Sequence, residues 1–403
     1  MGKAKNFLLF FFWMFPITFT FFPVGSGKIV SVYFILYLVS NLDLNLKSML
    51  NKAVYALVTL MLYFTLLTLI NNINDLTLPY LLLLHIVEFI PGAVYFSYLL
   101  QKREICDETI ALYLMFAGLI LSISVFLLLA SHQLRILSDT FIPSYGNIDA
   151  MRVSRIRGLS NGGGADHSVQ LAITSIGALY LFNKAKSSAS KLLYLVCAII
   201  TIGAVSFVAR TGLLIVILFL FVSIVIFNKE KIKGSILVIF SFLVILLSMP
   251  FIIPLLDNMT GGSFSSNTLP WISDLFSVIT EGRINQSNSH LLEMLFLPDT
   301  LTTFLFGQGS YSDFGLYQYS DSGYVKFIFS FGVFITFLFV FFILSLCFKG
   351  FTSRSELDKL LSIFIMIMLV MTIKEPFLIK IGTVHILYLL LFKLHVSTKA
   401  INE

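Results

Sequence analysis

Apolar runs of hydrocarbon length recur from one end of this chain to the other, and that recurrence limits the fold more than any other feature. A bilayer's hydrocarbon core is about 30 Å thick, which a helix crosses in about 20 residues. At that depth every backbone N–H and C=O must be paired within the protein, so only helices or a closed barrel can cross. The runs here are continuous. They lack the short alternating strands at even spacing that mark a barrel. The expected fold class is therefore an all-α polytopic membrane protein. Charge content agrees: 12% of the 403 residues are charged, against about 25% in a soluble domain.

The pattern predicts about twelve transmembrane helices: Phe7–Phe22, Ile29–Ser40, Ala53–Ile70, Leu78–Leu100, Thr109–Ala130, Val169–Phe182, Leu192–Val208, Leu213–Phe227, Ser235–Leu256, Tyr324–Cys347, Leu360–Ile373 and Phe377–Leu394. The start, MGKAKNFLLFFFWMF, reads as the first helix and not as a signal peptide, because no small-residue cleavage site follows it. Pro91 in the fourth span, and Pro250 and Pro254 late in the ninth, predict kinks. The whole of 1–403 reads as one integral membrane domain with two enlarged loops, 131–166 and 257–323.

The connections alternate. MGKAKN, LNLKSMLNK, QKRE, NKAKSSASK, NKEKIKG, KGFTSRSELDK and KLHVSTKAINE are short and rich in Lys. Cytoplasmic loops carry the excess of Lys and Arg, so this set is expected inside. Both termini then lie in the cytoplasm, as an even number of spans requires. The two enlarged loops fall outside.

Arginine runs against that rule. Of eight arginines, Arg103 and Arg354 are expected inside, while Arg135, Arg152, Arg155, Arg157, Arg210 and Arg283 are expected outside. Membrane orientation does not call for that excess. Recognition of a phosphate or pyrophosphate does, because a planar guanidinium binds such groups through two parallel hydrogen bonds. Contacts to anionic lipid headgroups, or pairing with nearby Asp, are the plainer reading. Three of these arginines stand within MRVSRIRGLSNGGGADH, where a Gly triplet leads into a helix near His167. Helix N-termini offer unpaired N–H groups to anions, and Asp166 is the expected N-cap. Arg210 sits in FVARTGLLIV at a tight outer turn.

The later loop, Asp257–Lys326, supplies Glu281, Arg283 and His290. The segment FSVITEGRINQSNSHLLEMLFL has spacing that suits an amphipathic helix on the membrane face. Asp321, Tyr324 and Lys326 open the tenth span in SDSGYVKFIFSFG, at the lipid–water boundary. His85 and Glu88 share a face of the fourth span, either as a functional pair or as a bundle-holding hydrogen bond. Cys106, Cys197 and Cys347 form neither a disulfide framework nor a zinc motif. No P-loop, metal spacing or GxSxG motif is present, so no cofactor and no metal are expected. Nor is a nucleic-acid partner.

The arrangement resembles the O-antigen polymerase (Wzy) family and, more distantly, the O-antigen ligases. RIRGLSNGGGADHSVQLA is similar to the family's Arg-x-x-Gly-Leu segment leading into a helix. VARTGLLIVIL is similar to its Arg-Thr/Gly pair opening a span, and SDSGYVKFIFSFGVFI to its late polar cluster with a following Gly. Where ligases tend to carry a His in that segment, this chain has Asp321-Ser322-Gly323-Tyr324, which points to a polymerase.

The resemblance implies a GT-C-like helical fold in the bacterial inner membrane, capped on the periplasmic face by the large loop. It implies a metal-independent glycosyltransferase that polymerises undecaprenyl-pyrophosphate-linked oligosaccharide repeat units into O-antigen or a related surface polysaccharide. Its partners would be the carrier-linked donor and acceptor, membrane lipid and a Wzz-like chain-length regulator. Arg152, Arg155, Arg157, His167, Arg210, Arg283, Tyr324 and Lys326 are then the expected substrate-binding residues. Asp321, then His290, then Glu281 are the candidates for accepting the acceptor hydroxyl's proton near the arginines. A lipid-linked oligosaccharide flippase or transporter, or an O-antigen ligase, is the alternative reading.

Overall fold

Pro16 stops the first apolar run. The ring of a proline disfavours helical backbone at the residue before it, and the opening helix, α1 (Gly2–Met14), ends there instead of continuing to Phe22 as expected. The computed structural model describes residues 2–22, 24–41, 44–143, 157–161, 164–226, 293–312 and 320–399. Among these the chain is helical and holds no strand. After α1 come α2 (Ser26–Asn41), α3 (Leu44–Ile70), α4 (Thr77–Leu84), a π turn (His85–Phe89), α5 (Ile90–Gln101), α6 (Asp107–Ala130) and α7 (His132–Phe141). Then follow α8 (Ala165–Lys184), α9 (Ser188–Val208), α10 (Arg210–Ile226) and α11 (Leu301–Phe306). The last are α12 (Gly323–Thr352), α13 (Glu356–Met371), a 3-10 turn (Phe377–Ile379) and α14 (Thr383–Lys399).

Among the described residues five stretches are long and apolar enough to cross a bilayer: Leu46–Ile70, Thr77–Gln101, Asp107–Ala130, Ser188–Val208 and Gly323–Thr352. Shorter apolar helices lie at Ser26–Asn41, Thr211–Ser223 and Thr383–Val396. Phe334, Phe337, Leu338, Phe341 and Phe348 form an exposed stripe along α12, a surface that suits lipid and not water. The chain is a multi-pass helical membrane protein. The second to eighth and the tenth to twelfth expected segments coincide with helices, although the twelfth starts later, at Thr383. The ninth, Ser235–Leu256, lies outside the described residues, as does most of the expected amphipathic helix before Leu297.

The chain divides into two compact units, Met1–Ile29 with Ile105–Arg283 and Val30–Glu104 with Ile284–Glu403. In the first unit α8 is the central helix, buried from His167 to Leu181 and packed on α6, α9 and α10. In lipid, helices associate through close packing of small residues and not through loss of water. That is how α6 meets α8: a Cβ on Gly118 would stand 2.2 Å from Thr174 Oγ1, and one on Gly177 would stand 2.3 Å from the Ala111 carbonyl oxygen. The hydroxyls inside α8 turn back on its own backbone, Thr174 to the Leu171 carbonyl and Ser175 to that of Ala172.

In the second unit the expected kink at Pro91 takes the form of the π turn. Proline has no N–H, and its ring collides with the carbonyl four residues back. The backbone widens just ahead of it, with the Ile90 N–H donating to the His85 carbonyl, five residues back. α12 breaks at Gly332, whose φ of 81° and ψ of 168° leave the helix. A carbonyl near the break is taken up from outside: Gln308 N–H donates to the Phe329 oxygen at 2.8 Å. The short chain after α11 is anchored at Asp75, whose carboxylate accepts from the N–H groups of Thr77, Tyr311 and Ser312 and from the Ser312 hydroxyl. Burial pushes the Asp75 carboxyl up, but these backbone donors outweigh it and hold it below the usual carboxylate range. In the first turn of α13, buried Asp358 pairs with buried Lys393 of α14.

Candidate functional site

The candidate site in the first unit is built on the segment Arg157–Asn161, which enters α8. Gly158 has a φ of +58°, in the left-handed region that favours glycine. It lies against α6, where an added Cβ would be 2.7 Å from Ser124 Oγ and 2.9 Å from Val125 Cγ2. The Leu159 N–H donates to Ser124 Oγ at 3.2 Å. Asn161 closes the segment: its amide donates to the Thr18 and Pro143 carbonyls and accepts from the Thr18 N–H. Five consecutive residues are thus held to α6 and to the turn after α1.

Arg157 projects from this fixed backbone. Its Nη2 donates to the Asp139 carboxylate on α7, in an ion pair whose side chains are 15% and 27% exposed. Its Nη1 is buried and has no hydrogen-bond partner among the described residues. One arm of the fork is therefore committed and the other is not. His167, in the first turn of α8 and two residues ahead of the expected span, is 1% exposed. Its Nδ1 lies 3.5 Å from Gln170 Oε1. Its Nε2 has no partner among the described residues and stands 3.5 Å from where a Gly158 Cβ would be. Burial disfavours the imidazolium and pushes the pKa of His167 down to about 4, against a smaller upward pull from Gln170. The side chain is neutral at pH 7.

The Arg-Thr-Gly turn arrives at the same place. Gly212 N–H donates to Ser168 Oγ at 3.0 Å. A Cβ on Gly212 would come within 2.5 Å of the Ser168 carbonyl oxygen, so the first turns of α8 and α10 are in backbone contact. Arg210 opens α10, two residues before this contact. The N-cap of α8 is Gly164 and not Asp166, which lies in the first turn. A carboxylate there still complements the positive end of the helix dipole. Nearby charges and dipole ends thus come from three elements far apart in sequence: α7, the segment entering α8, and α10.

In the second unit Asp321 is partly buried and its backbone is pinned on both sides. Ser320 donates to the Met294 carbonyl, the Ser322 N–H to Ser320 Oγ, and the Gly323 N–H to the Thr372 carbonyl. Tyr324 donates its hydroxyl to the Leu369 carbonyl at 2.7 Å, tying α12 to α13. The Lys326 ammonium lies 5.3 Å from the centre of the Tyr311 ring. The positions expected for Asp321, Tyr324 and Lys326 at the opening of this helix are those observed. Glu281, Arg283, His290, Arg152 and Arg155 lie outside the described residues, as does the side chain of Arg210.

No family model, no curated protein and no solved structure matches this chain. Among the described residues no group of three or more His, Cys, Asp or Glu side chains could hold a metal ion.

Sequence reasoning passed over Asp139, Asn161, Ser168 and Asp75. The last gave no signal in NNINDLTLP beyond an acid in a short loop. Asp139 had one: it stands in HQLRILSDTF, whose apolar spacing is helical, within a stretch read only as loop.

Proposed function

We propose that this protein polymerises undecaprenyl-pyrophosphate-linked repeat units into a surface polysaccharide, O-antigen or a close relative, on the outer face of the bacterial inner membrane. One observation carries the reading. The segments that resemble the polymerase family in the middle of the chain, RIRGLSNGGGADHSVQLA and VARTGLLIVIL, are joined through Ser168 and Gly212. Their shared neighbourhood holds a guanidinium with an uncommitted arm and a neutral, buried imidazole. Twelve spans, a GT-C-like arrangement and cytoplasmic termini belong to the same proposal.

In the reaction, a hydroxyl of the acceptor repeat attacks the anomeric carbon of the donor glycan. A glycosidic bond forms and the bond from that carbon to the donor's pyrophosphate oxygen breaks. The leaving undecaprenyl pyrophosphate takes the electron pair, and the hydroxyl proton passes to a base. Negative charge grows on the leaving group, and fixed guanidinium donors stabilise it more than they stabilise the ground state. Arg157 supplies such a donor, and Arg210, Arg152, Arg155 and Arg283 are its proposed companions. Asp321 is the proposed base, with His290 and Glu281 behind it. No nucleotide sugar or metal takes part in this scheme.

A second reading, a carrier for lipid-linked oligosaccharides, draws on the π turn of the second unit. His85 and Glu88 are buried there inside a crossing helix, with His85 Nδ1 2.9 Å from the Tyr388 hydroxyl. Intramembrane ionisable residues are frequent in transport pathways.

The test is Asp321→Asn in cells lacking the native protein. For an O-antigen polymerase the expected product is lipid A core capped with a single repeat and no ladder, with the variant still inserted. Loss of a general base costs on the order of 10²–10⁴ in rate. A full ladder removes Asp321 from the mechanism. Single repeats trapped on the cytoplasmic leaflet in cells lacking the whole protein would favour the carrier.

A further inference from the structure

α7 starts two residues after α6 ends, with only Ser131 between them. Its Ser131 hydroxyl caps it by accepting from the Leu134 N–H at 3.3 Å. Leu134, Leu137 and Phe141 stand at spacings of three and four, which places them on one helix face. All three are exposed, by 39%, 51% and 47%. The opposite edge is tied to the protein. Arg135 donates from Nε and Nη2 to the Leu128 carbonyl at the end of α6, and Asp139 pairs with Arg157. These ties fix the rotation of the helix, so its apolar face cannot turn inward.

Two observations say what covers that face. Phe116, Ile120, Ile123 and Leu127 are exposed along α6 at spacings of four, three and four, a single stripe down a crossing helix. Leu134 stands seven residues beyond its last member. The second is a turn on the far side. Thr20 N–H donates to the Phe141 carbonyl at 2.8 Å, Phe21 meets Phe141 edge-on at 6.4 Å, and Phe19 stacks on Phe21 at 5.4 Å. Phe21 and Phe22 are themselves exposed. The apolar surface thus runs from a crossing helix, along α7, into an aromatic turn; among the described residues no charged side chain stands on the Leu134–Leu137–Phe141 face, and Ile136 on the flank is exposed as well.

We propose that α7 and the Phe19–Phe22 turn lie in the bilayer–water interface, with Leu134, Leu137 and Phe141 among the acyl chains and the Asp139–Arg157 pair at the level of the headgroups. An amphipathic helix in that plane sinks its apolar face about 5–10 Å. The partner is the lipid surface itself. The inference stands on the geometry of the first unit and does not depend on the reaction proposed above.

The test uses the full chain in vesicles of phosphatidylethanolamine and phosphatidylglycerol, with Cys106→Ser removing the exposed native thiol; Cys197 and Cys347 are buried. Nitroxide labels go on Leu134→Cys, Leu137→Cys and Phe141→Cys, and on Ile136→Cys and Thr140→Cys on the flank away from the apolar face. Collision rates are read with oxygen, which partitions into lipid, and with a water-soluble nickel chelate. At 134, 137 and 141 oxygen should outstrip nickel several-fold, and at 136 and 140 the order should reverse. Nickel dominating at all five positions would make α7 a solvated helix and overturn the proposal. Exclusion of both reagents at 134, 137 and 141 would overturn it too, since it would mean that protein covers the face.

Discussion

Gly212 donates its N–H to the hydroxyl of Ser168, and the two backbones touch so closely that Gly212 has no room for a side chain. Forty-four residues separate them. The contact aligns the first turns of α8 and α10, so the position of Arg210 is set by a hydrogen bond to the helix that carries His167. Helix termini present unpaired N–H groups, and here one of those groups is used to fix one helix on another.

Gly212→Ala should therefore be costly for its size. The new methyl meets backbone atoms of Ser168 at 2.5–2.7 Å, and neither helix can yield without repacking. Overpacking of this kind typically costs about 1–3 kcal/mol. Gly203→Ala is the control, because its nearest neighbour is the end of the Phe126 ring at 3.3 Å. Thermal unfolding in detergent should show a lower midpoint for Gly212→Ala and little change for Gly203→Ala. Equal midpoints would show that the contact is not rigid.

Arg157→Lys should fail to replace arginine. The guanidinium pairs with Asp139 through one nitrogen and keeps another buried and uncommitted, and a single ammonium cannot hold both positions. Asp139→Asn removes the charge that holds the fork. A lost hydrogen bond to a charged group costs about 1.5–3 kcal/mol, here towards the lower end because both side chains are partly exposed. Polymer ladders from complemented cells should shorten or vanish for both variants, with normal amounts of inserted protein. A normal ladder from Arg157→Lys would remove this guanidinium from the site.

His167 should make the protein acid-sensitive. Its folded pKa, about 4, lies below the ordinary histidine value of 6.5, because burial disfavours the charged form. Between those values the unfolded chain binds a proton that the folded chain does not, so stability falls as pH drops from about 6.5 towards 4 and is unaffected above that window. Each pKa unit corresponds to about 1.4 kcal/mol, which makes the full loss on the order of 3 kcal/mol. His167→Phe should flatten the unfolding midpoint across this window. A variant with the same pH dependence as the native protein would place the titrating group elsewhere.

Much of this was legible in the sequence, for identifiable reasons. Continuous apolar runs located most helices, because in lipid the backbone has no partner but itself. The run at Phe7–Phe22 misled because hydropathy does not register Pro16, which stops α1 at Met14. The opening of α12 was found where expected, since Ser-Asp-Ser-Gly before an apolar run is a helix-entry pattern. That an outer arginine could pair with a nearby Asp was legible, but which Asp takes Arg157 was not. Asp139 lies eighteen residues upstream on a ten-residue amphipathic helix, too short to stand out within a stretch read as loop. Asp75 was hidden for a different reason: three of its four donors come from a single turn more than two hundred residues away, and only the Thr77 N–H is local.

The central claim is polymerisation, and reconstitution tests it most directly. Carrier-linked repeat units are extracted from source cells lacking this protein and mixed with the purified full chain in proteoliposomes, without nucleotide sugars and with a metal chelator present. The account predicts a ladder of carrier-linked oligomers that lengthens with time, one undecaprenyl pyrophosphate released per added repeat, and a shorter ladder or none from Arg157→Lys. Repeat units that change leaflet yet never lengthen would contradict it, and would make the protein a carrier.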